Sequence, residues 1–307
     1  MNARTPWILL ALVLFAVSDR VSAGDESFEE EVDRVADQVH GAFLERGAEG
    51  IAAFATKEKL ATTDPFRVAE RLLLRHANAI RTNPEGDPQA LDAAAAYAKA
   101  TSFRPAARAL PELVERWRAL ERQDLDRLLR LRATWVAQQR AWNAPDYESV
   151  IALADASAPD GEAAPWSPTS IDVATLRSKA LAETGRALDA ARHDLTLVPR
   201  CSAIGWVRLA AALLRRAGGT YQRAGKAEEA SRLLADALRR FEALDRSGDV
   251  AATLLAESRV DQWKGDFDAA LGRLSRAREV LEALGDREPL PEVYTGLGNV
   301  SRRLGRP

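Results

Sequence analysis

The chain has 307 residues, of which 47% are apolar and 29% are charged, and this composition is typical of a folded protein. Alanine, leucine, arginine and glutamate are abundant, whereas β-branched and aromatic residues are sparse, so the composition favours helix over sheet. The formal net charge of −2 gives no reason to expect nucleic acid or an anionic membrane as a partner. We therefore predict an all-α protein that does not bind nucleic acid.

The beginning of the chain has the pattern of a secretory signal peptide. Arg4 precedes an apolar run from Trp7 to Val17, and small residues occupy positions 21–23. The apolar run is shorter than the roughly 20 residues that a helix needs to cross a bilayer. We predict a signal peptide over 1–23 that is cleaved after Ala23, export to the periplasm or the medium, and no stable membrane span.

Two segments that lie forty residues apart have similar sequences. Aligned without gaps, residues 225–249 and 265–289 share seven identical positions in 25, including a glycine that permits a tight turn and alanines that allow helices to approach closely. Proline can occupy the same turn position because it is compatible with the first turn of a helix. The positions at this one spacing are Pro65, Pro105, Pro145, Gly185, Gly225, Gly265 and Gly305.

Apolar residues between these positions follow the 3–4 spacing of amphipathic helices, so each unit is predicted to be helix, turn, helix. Such a unit cannot bury its apolar face alone, and neighbouring units are expected to stack into a solenoid. We predict an N-terminal helical region with degenerate repeats over 24–156, a Pro-rich loop over 157–170, and repeats over 171–307. Further helices are predicted near 27–46, 50–60, 65–81, 88–102, 106–121, 123–142, 146–156, 170–183, 186–197 and 202–223.

From residue 201 onward, Gly218 and Tyr221 precede Gly225, Ala230 and Ala237, and this pattern resembles tetratricopeptide repeats. That family places Gly-x-x-Tyr late in the first helix, then a turn glycine, then alanines five and twelve positions later. The resemblance implies a right-handed α-α superhelix of helix-turn-helix repeats, here with a period of 40 rather than the family's usual period of about 34; HEAT-type repeats of about 40–47 residues are the alternative. The matching residues are Gly218, Tyr221, Gly225, Ala230 and Ala237, then Gly265, Ala270 and Ala277, then Tyr294, 297–300 and Gly305.

A tetratricopeptide array usually binds its partner on a concave wall formed by the first helix of each unit. The resemblance therefore implies a polar, mildly basic groove that accepts an acidic peptide or a chain-end carboxylate. The alternative interpretation is that the same residues are ordinary solvated helix positions. The predicted groove residues are Lys179, Arg215, Gln222, Arg259, Gln262, Asn299 and Arg302.

The sequence contains no pattern that specifies an enzyme. The stretch GLGNVS at 296–301 lacks the third glycine and the preceding strand of a dinucleotide site. His40, His76 and His193 lack the spacing of metal ligands. We predict no catalysis, no cofactor and no metal, and we expect Trp206 and Trp263 to be partly buried.

The functional hypothesis is a non-catalytic, exported helical-repeat scaffold that binds a protein or a peptide. Exported bacterial chains of this layout also resemble the front half of caspase-like CHAT peptidases, so the alternative is a regulatory arm whose catalytic part is elsewhere. A remote alternative is an all-α glycosidase that uses paired acids. The final helix is expected to need a cap or a partner, because one side of its apolar residues would be uncovered. These residues are Tyr294, Leu297, Val300 and Leu304.

Overall fold

The computed structural model describes residues 26–55, 64–102, 107–244 and 247–306. Within these ranges the chain forms fourteen α-helices and no strand, which confirms the all-α prediction. None of these helices combines the length and the apolar content needed to cross a membrane. The predicted signal peptide and Pro105 lie outside the described residues.

The helices have the following bounds. They are α1 Glu26–Ala55, α2 Pro65–Ala79, α3 Pro88–Thr101, α4 Leu110–Arg118, α5 Arg122–Asn143, α6 Tyr147–Ala156, α7 Ala158–Ala163, α8 Pro168–Glu183, α9 Ala187–Ala203, α10 Val207–Arg223, α11 Ala227–Ala243, α12 Ser247–Lys264, α13 Phe267–Leu284 and α14 Leu290–Arg303.

The described chain divides into two compact units near Gly185. The first unit contains the residues up to Gly185 together with Arg200–Trp206, and the second contains Arg186–Pro199 and the residues from Val207 onward. The division therefore does not fall in 157–170, the segment predicted as a loop. That segment contains the short helix α7 and the start of α8.

Short polar side chains at the helix starts explain several boundaries in the first unit. The carboxylate of Asp64 accepts hydrogen bonds from the backbone N–H groups of Phe66 and Arg67 at 2.9 and 3.4 Å, and Pro65 occupies the first turn of α2. Such bonds satisfy donors that the helix itself leaves unpaired. Asp87, Asp146 and Ser167 cap α3, α6 and α8 in the same way.

The second unit is a succession of helices that pack on their neighbours. Helices α10, α11 and α12 pack in sequence, α13 packs on α12, and α14 packs on α13. Helix α10 also contacts α12, so alternate helices meet. Buried positions recur every forty residues along α9 to α14, which is the spacing of the sequence repeat. Examples are Ala190, Ala230 and Ala270; Leu197, Ala237 and Ala277; Leu213, Thr253 and Val293; and Thr220, Val260 and Val300.

Glycines occupy several of the turns between these helices. Gly225 has a φ of 76° and Gly265 a φ of 81°, values that a residue with a Cβ rarely adopts. Gly205 and Gly285 also have positive φ and lie twenty residues after Gly185 and Gly265, so glycine turns also follow α9 and α13, the second helices of their pairs.

Helix α9 ends later than the sequence predicts. The sequence predicts a helix that ends at 197 and another that begins at 202, because a proline usually ends a helix. In the structure α9 continues to Ala203 with Pro199 inside it, and the turn lies at Gly205. Burial of Leu197 and Cys201 on either side of the proline outweighs the lost backbone hydrogen bond.

Candidate functional site

The structure places six of the seven predicted groove residues on α10, α12 and α14 of the second unit, whereas Lys179 lies on α8 of the first unit. Arg259, Asn299 and Arg302 are exposed, and the other four are partly buried. Asn299 accepts a hydrogen bond of 2.9 Å from the Arg302 guanidinium. The six residues of the second unit therefore lie on alternate helices, and three of them are exposed.

Ion pairs connect these alternate helices. Arg215 on α10 lies 3.9 Å from the buried carboxylate of Asp249 on α12, and Arg208 lies 3.6 Å from it. Arg259 on α12 pairs with Glu292 on α14, and both of those side chains are about half exposed. Exposed pairs of this kind contribute little to stability, about 0–1 kcal/mol, so Arg259 can exchange its partner for a ligand at small cost.

Trp263 is exposed, and the prediction that it is partly buried was wrong. Its side chain is 64% exposed, whereas Trp206 is buried as a member of the first unit. Trp263 lies opposite the face of α12 that carries the buried residues Leu254, Ser258 and Asp261. The ring covers the turn at Gly225, where a Cβ would lie 3.2 Å from it.

A cleft of about 420 Å³ lies between α11, α12 and α13 of the second unit. Its apolar floor is formed by small and aliphatic side chains, and its lining includes three guanidinium groups. We call it the arginine cleft. It is lined by Ala235, Leu238, Arg239, Leu254, Glu257, Ala269, Gly272, Arg273 and Arg276.

Arg273 is held at the base of the arginine cleft by two buried carboxylates. Its Nε lies 3.0 Å from Glu257 and its Nη1 lies 2.9 Å from Asp261. Burial raises the pKa of Asp261, although the Arg273 charge opposes that effect, and the nearby Glu257 adds to it. One guanidinium therefore neutralises two acids, and Arg273 is committed to this internal cluster.

The two other guanidiniums of the arginine cleft stand at its edge. Arg239 on α11 is 74% exposed and lies 3.2 Å from Asp236 on its own helix. Arg276 on α13 is 50% exposed and pairs with Glu242. Because both pairs are solvated, each arginine remains accessible to an anion.

No motif in the sequence predicts the arginine cleft. The available signal was a difference between the two aligned repeats: Gly272 stands where the preceding repeat has Arg232, and Ala269 stands where it has Glu229. A Cβ at position 272 would have no neighbour within 4 Å. These two small residues in α13 leave the space that the cleft occupies.

A buried polar network in the first unit joins α2 to the start of α8. The Glu70 carboxylate, 1% exposed, accepts hydrogen bonds from the Ser167 hydroxyl at 2.6 Å and from the Thr169 hydroxyl and backbone N–H at 2.7 and 3.0 Å. Burial raises the pKa of Glu70, although these donated bonds oppose the shift. The carboxylate also lies at the positive end of the α8 dipole.

A second pair extends this network. Arg67 donates a 2.7 Å hydrogen bond to Asp172, and the Arg67 guanidinium lies over the ring of Trp206. Ser167 caps α8, and Asp172 in the first turn of α8 pairs with Arg67. These contacts join α2 to α8 within the first unit.

Two histidines that are distant in the sequence meet at Asp87. His40, on α1, has its Nδ1 2.8 Å from the Arg75 guanidinium and its Nε2 3.7 Å from the Asp87 carboxylate. His76 accepts a 3.1 Å hydrogen bond at Nδ1 from the backbone N–H of Asp87. Because Arg75 can only donate, the Nδ1 of His40 accepts, and the proton of the neutral ring is on Nε2.

This arrangement predicts a loss of stability in mild acid. Burial and the Arg75 charge lower the pKa of His40. As the pH falls below the pKa of the unfolded chain, the unfolded state binds a proton that the folded His40 does not, so the free energy of unfolding decreases. Relative to His40→Gln, the wild type should lose up to about 1.4 kcal/mol per pH unit as the pH falls from 6.5, the ordinary histidine pKa, toward the lowered pKa of folded His40. Urea unfolding at several pH values measures this difference, and parallel profiles for the two proteins would contradict the prediction.

Comparisons of the chain with protein-family models, curated proteins and solved structures give no match. Within the described residues, no group of three or more His, Cys, Asp or Glu side chains is arranged to hold a metal ion.

Proposed function

We propose that this protein is a non-catalytic, exported helical-repeat scaffold that binds a protein or a peptide. In this proposal the helix pairs of the second unit form a right-handed, tetratricopeptide-like superhelix. The main support is the recurrence of buried positions every forty residues, together with the contact of α10 with α12. In repeats of this kind, alternate helices present a continuous wall to a partner.

The side chains on that wall favour an acidic partner. Arg259 and Arg302 are exposed, and Arg215 is partly exposed, on the three alternate helices. Guanidinium groups bind carboxylates through paired, charge-assisted hydrogen bonds. Arg259 is held only by a half-exposed pair with Glu292, which a partner's carboxylate can replace.

The triple variant Arg215→Ala, Arg259→Ala, Arg302→Ala tests this proposal. We expect it to capture partner from an envelope extract at least about tenfold less well than the wild type, because several charge-assisted contacts of about 1.5–3 kcal/mol each are removed. Circular dichroism should show unchanged helix content. Immobilised full-length protein and quantitative mass spectrometry of the bound material provide the measurement.

A matched control removes three exposed arginines from other positions of the second unit. Arg186, Arg192 and Arg287 are suitable because all three are exposed and none belongs to the predicted groove. The control variant should capture as much partner as the wild type. Equal capture by the groove variant and the wild type would reject the groove.

A further inference from the structure

The arginine cleft is on different faces of the helices from the predicted groove, and no role has been assigned to it. On α12, the cleft residues Leu254 and Glu257 point away from the exposed Arg259. The remaining walls belong to α11 and α13, the second helices of their pairs. A ligand of the cleft would therefore contact residues that do not contribute to the groove.

The packing of α13 against its neighbours does not require a glycine at position 272, which lines the arginine cleft. A glycine inside a helix costs about 0.5–1 kcal/mol relative to alanine. At Gly296 a close neighbour accounts for the glycine, because a Cβ there would lie 2.9 Å from the side chain of Leu274. At Gly272 no atom would lie within 4 Å of a Cβ, so an alanine or a larger residue would fit. The glycine keeps the cleft open at a cost to helix stability.

The lining of the arginine cleft defines the chemistry of a ligand. Its floor of Ala235, Leu238, Leu254 and Ala269 suits a small aliphatic group, and a volume of about 420 Å³ accommodates a few peptide side chains. Its edge presents Arg239 and Arg276 from two different helices. The ligand must therefore carry negative charge next to an aliphatic group.

We infer that the arginine cleft binds an extended acidic peptide segment, with an aliphatic side chain on the floor and neighbouring carboxylates on Arg239 and Arg276. A peptide meets both requirements because aliphatic and acidic side chains can alternate along one strand. An inorganic anion lacks an aliphatic group for the apolar floor of the cleft. This inference rests on the proposed peptide-binding function and adds a second site to it.

Fluorescence anisotropy of the full-length protein with a labelled peptide, acetyl-Asp-Leu-Asp-Glu-amide, tests the inference. The wild type should bind it at least about tenfold more tightly than the basic analogue acetyl-Lys-Leu-Lys-Lys-amide and the serine analogue acetyl-Asp-Ser-Asp-Glu-amide. The double variant Arg239→Ala, Arg276→Ala should weaken binding by about tenfold or more. Equal binding of the acidic and basic peptides would overturn the inference.

Gly272→Leu fills the arginine cleft without changing any charge and should also weaken binding by about tenfold or more. Its matched control is Gly298→Leu, because Gly298 lies inside α14, has no atom within 4 Å of a Cβ, and does not line the cleft. The control should bind within about twofold of the wild type. Circular dichroism checks that both variants retain their helices.

The two proposals can fail separately. Loss of peptide binding in the groove variant of Arg215, Arg259 and Arg302, with full binding by Gly272→Leu, would reject the cleft and support the groove. Loss in Gly272→Leu with full binding by the groove variant would support the cleft. No detectable binding of the acidic peptide by the wild type would overturn the cleft inference, whereas the proposed function would still be judged by capture of its partner.

Discussion

Glu70→Ala is expected to lower the free energy of unfolding by about 3–5 kcal/mol, because it leaves several buried donors without an acceptor. The hydroxyls of Ser167 and Thr169 and the backbone N–H of Thr169 all donate to this one carboxylate. Removing the buried charge relieves a desolvation cost, but the loss of three donated hydrogen bonds at a site that is 1% exposed outweighs it. Urea unfolding followed by circular dichroism measures the change in the transition of the first unit.

Two further variants make the Glu70 prediction specific. Glu70→Gln keeps the shape and one carbonyl acceptor, so its loss should be smaller, about 1–3 kcal/mol. Glu112→Ala removes a glutamate whose side chain is 81% exposed, and its effect should stay within about 0.5 kcal/mol. An effect of Glu70→Ala as small as that of Glu112→Ala would show that the network does not hold α2 to α8.

Phe241→Ala is expected to destabilise the second unit by about 3–5 kcal/mol. Phe241 has no exposed surface and belongs to the core cluster that also contains Leu254, Leu274 and Leu281. Truncation removes its dispersion contacts and leaves a cavity between packed helices, which the surrounding side chains fill only in part. The midpoint of thermal or urea unfolding of the second unit reports the loss.

Trp263→Ala is the matched control for Phe241→Ala. It removes a larger aromatic side chain from the same unit, but that side chain is 64% exposed. Its effect on stability should therefore be below about 1 kcal/mol. Equal effects of Phe241→Ala and Trp263→Ala would contradict the packing of the second unit.

Leu281 lies forty residues after Phe241 and is also buried. Leu281→Ala should therefore behave like Phe241→Ala, with a loss of about 2–5 kcal/mol in the free energy of unfolding.

Local features of the sequence account for most of the helices. Apolar periodicity, aspartates at helix starts such as Asp64 and Asp266, and turn glycines such as Gly225 act within a few residues, so they can be read from the sequence alone. Pro199 shows the limit of this reasoning. Its local preference is to end a helix, but the burial of neighbouring residues in the folded chain keeps the helix intact.

Long-range polar contacts could not be predicted in this way. Glu70 and Ser167 are 97 residues apart, and Arg67 and Asp172 are 105 residues apart. From the sequence alone, Glu70, Arg67 and Asp172 would each be predicted as solvent-exposed helix residues, because no partner lies near them in the sequence. His40 and His76 likewise meet only through the fold, at Asp87.

The candidate sites differ in how far they could be predicted. The groove residues came from the resemblance to tetratricopeptide repeats, and the structure places all but Lys179 on alternate helices of one unit. The arginine cleft arises from the small size of Gly272 and Ala269, and small residues leave no positive signal in a single repeat. Only the alignment of successive repeats shows that Gly272 stands where the preceding repeat has Arg232.

Amide hydrogen exchange of the full-length protein, resolved to single residues, tests the helix-pair repeat most directly. We expect slow exchange in α10, α11, α12 and α13, with rapid exchange at the turns around Gly225, Gly265 and Gly285. The rapid exchange at Gly225 should therefore recur forty residues later at Gly265, which is the spacing of the sequence repeat. Uniform protection through Gly225 and Gly265, or no protection in the four helices, would contradict it.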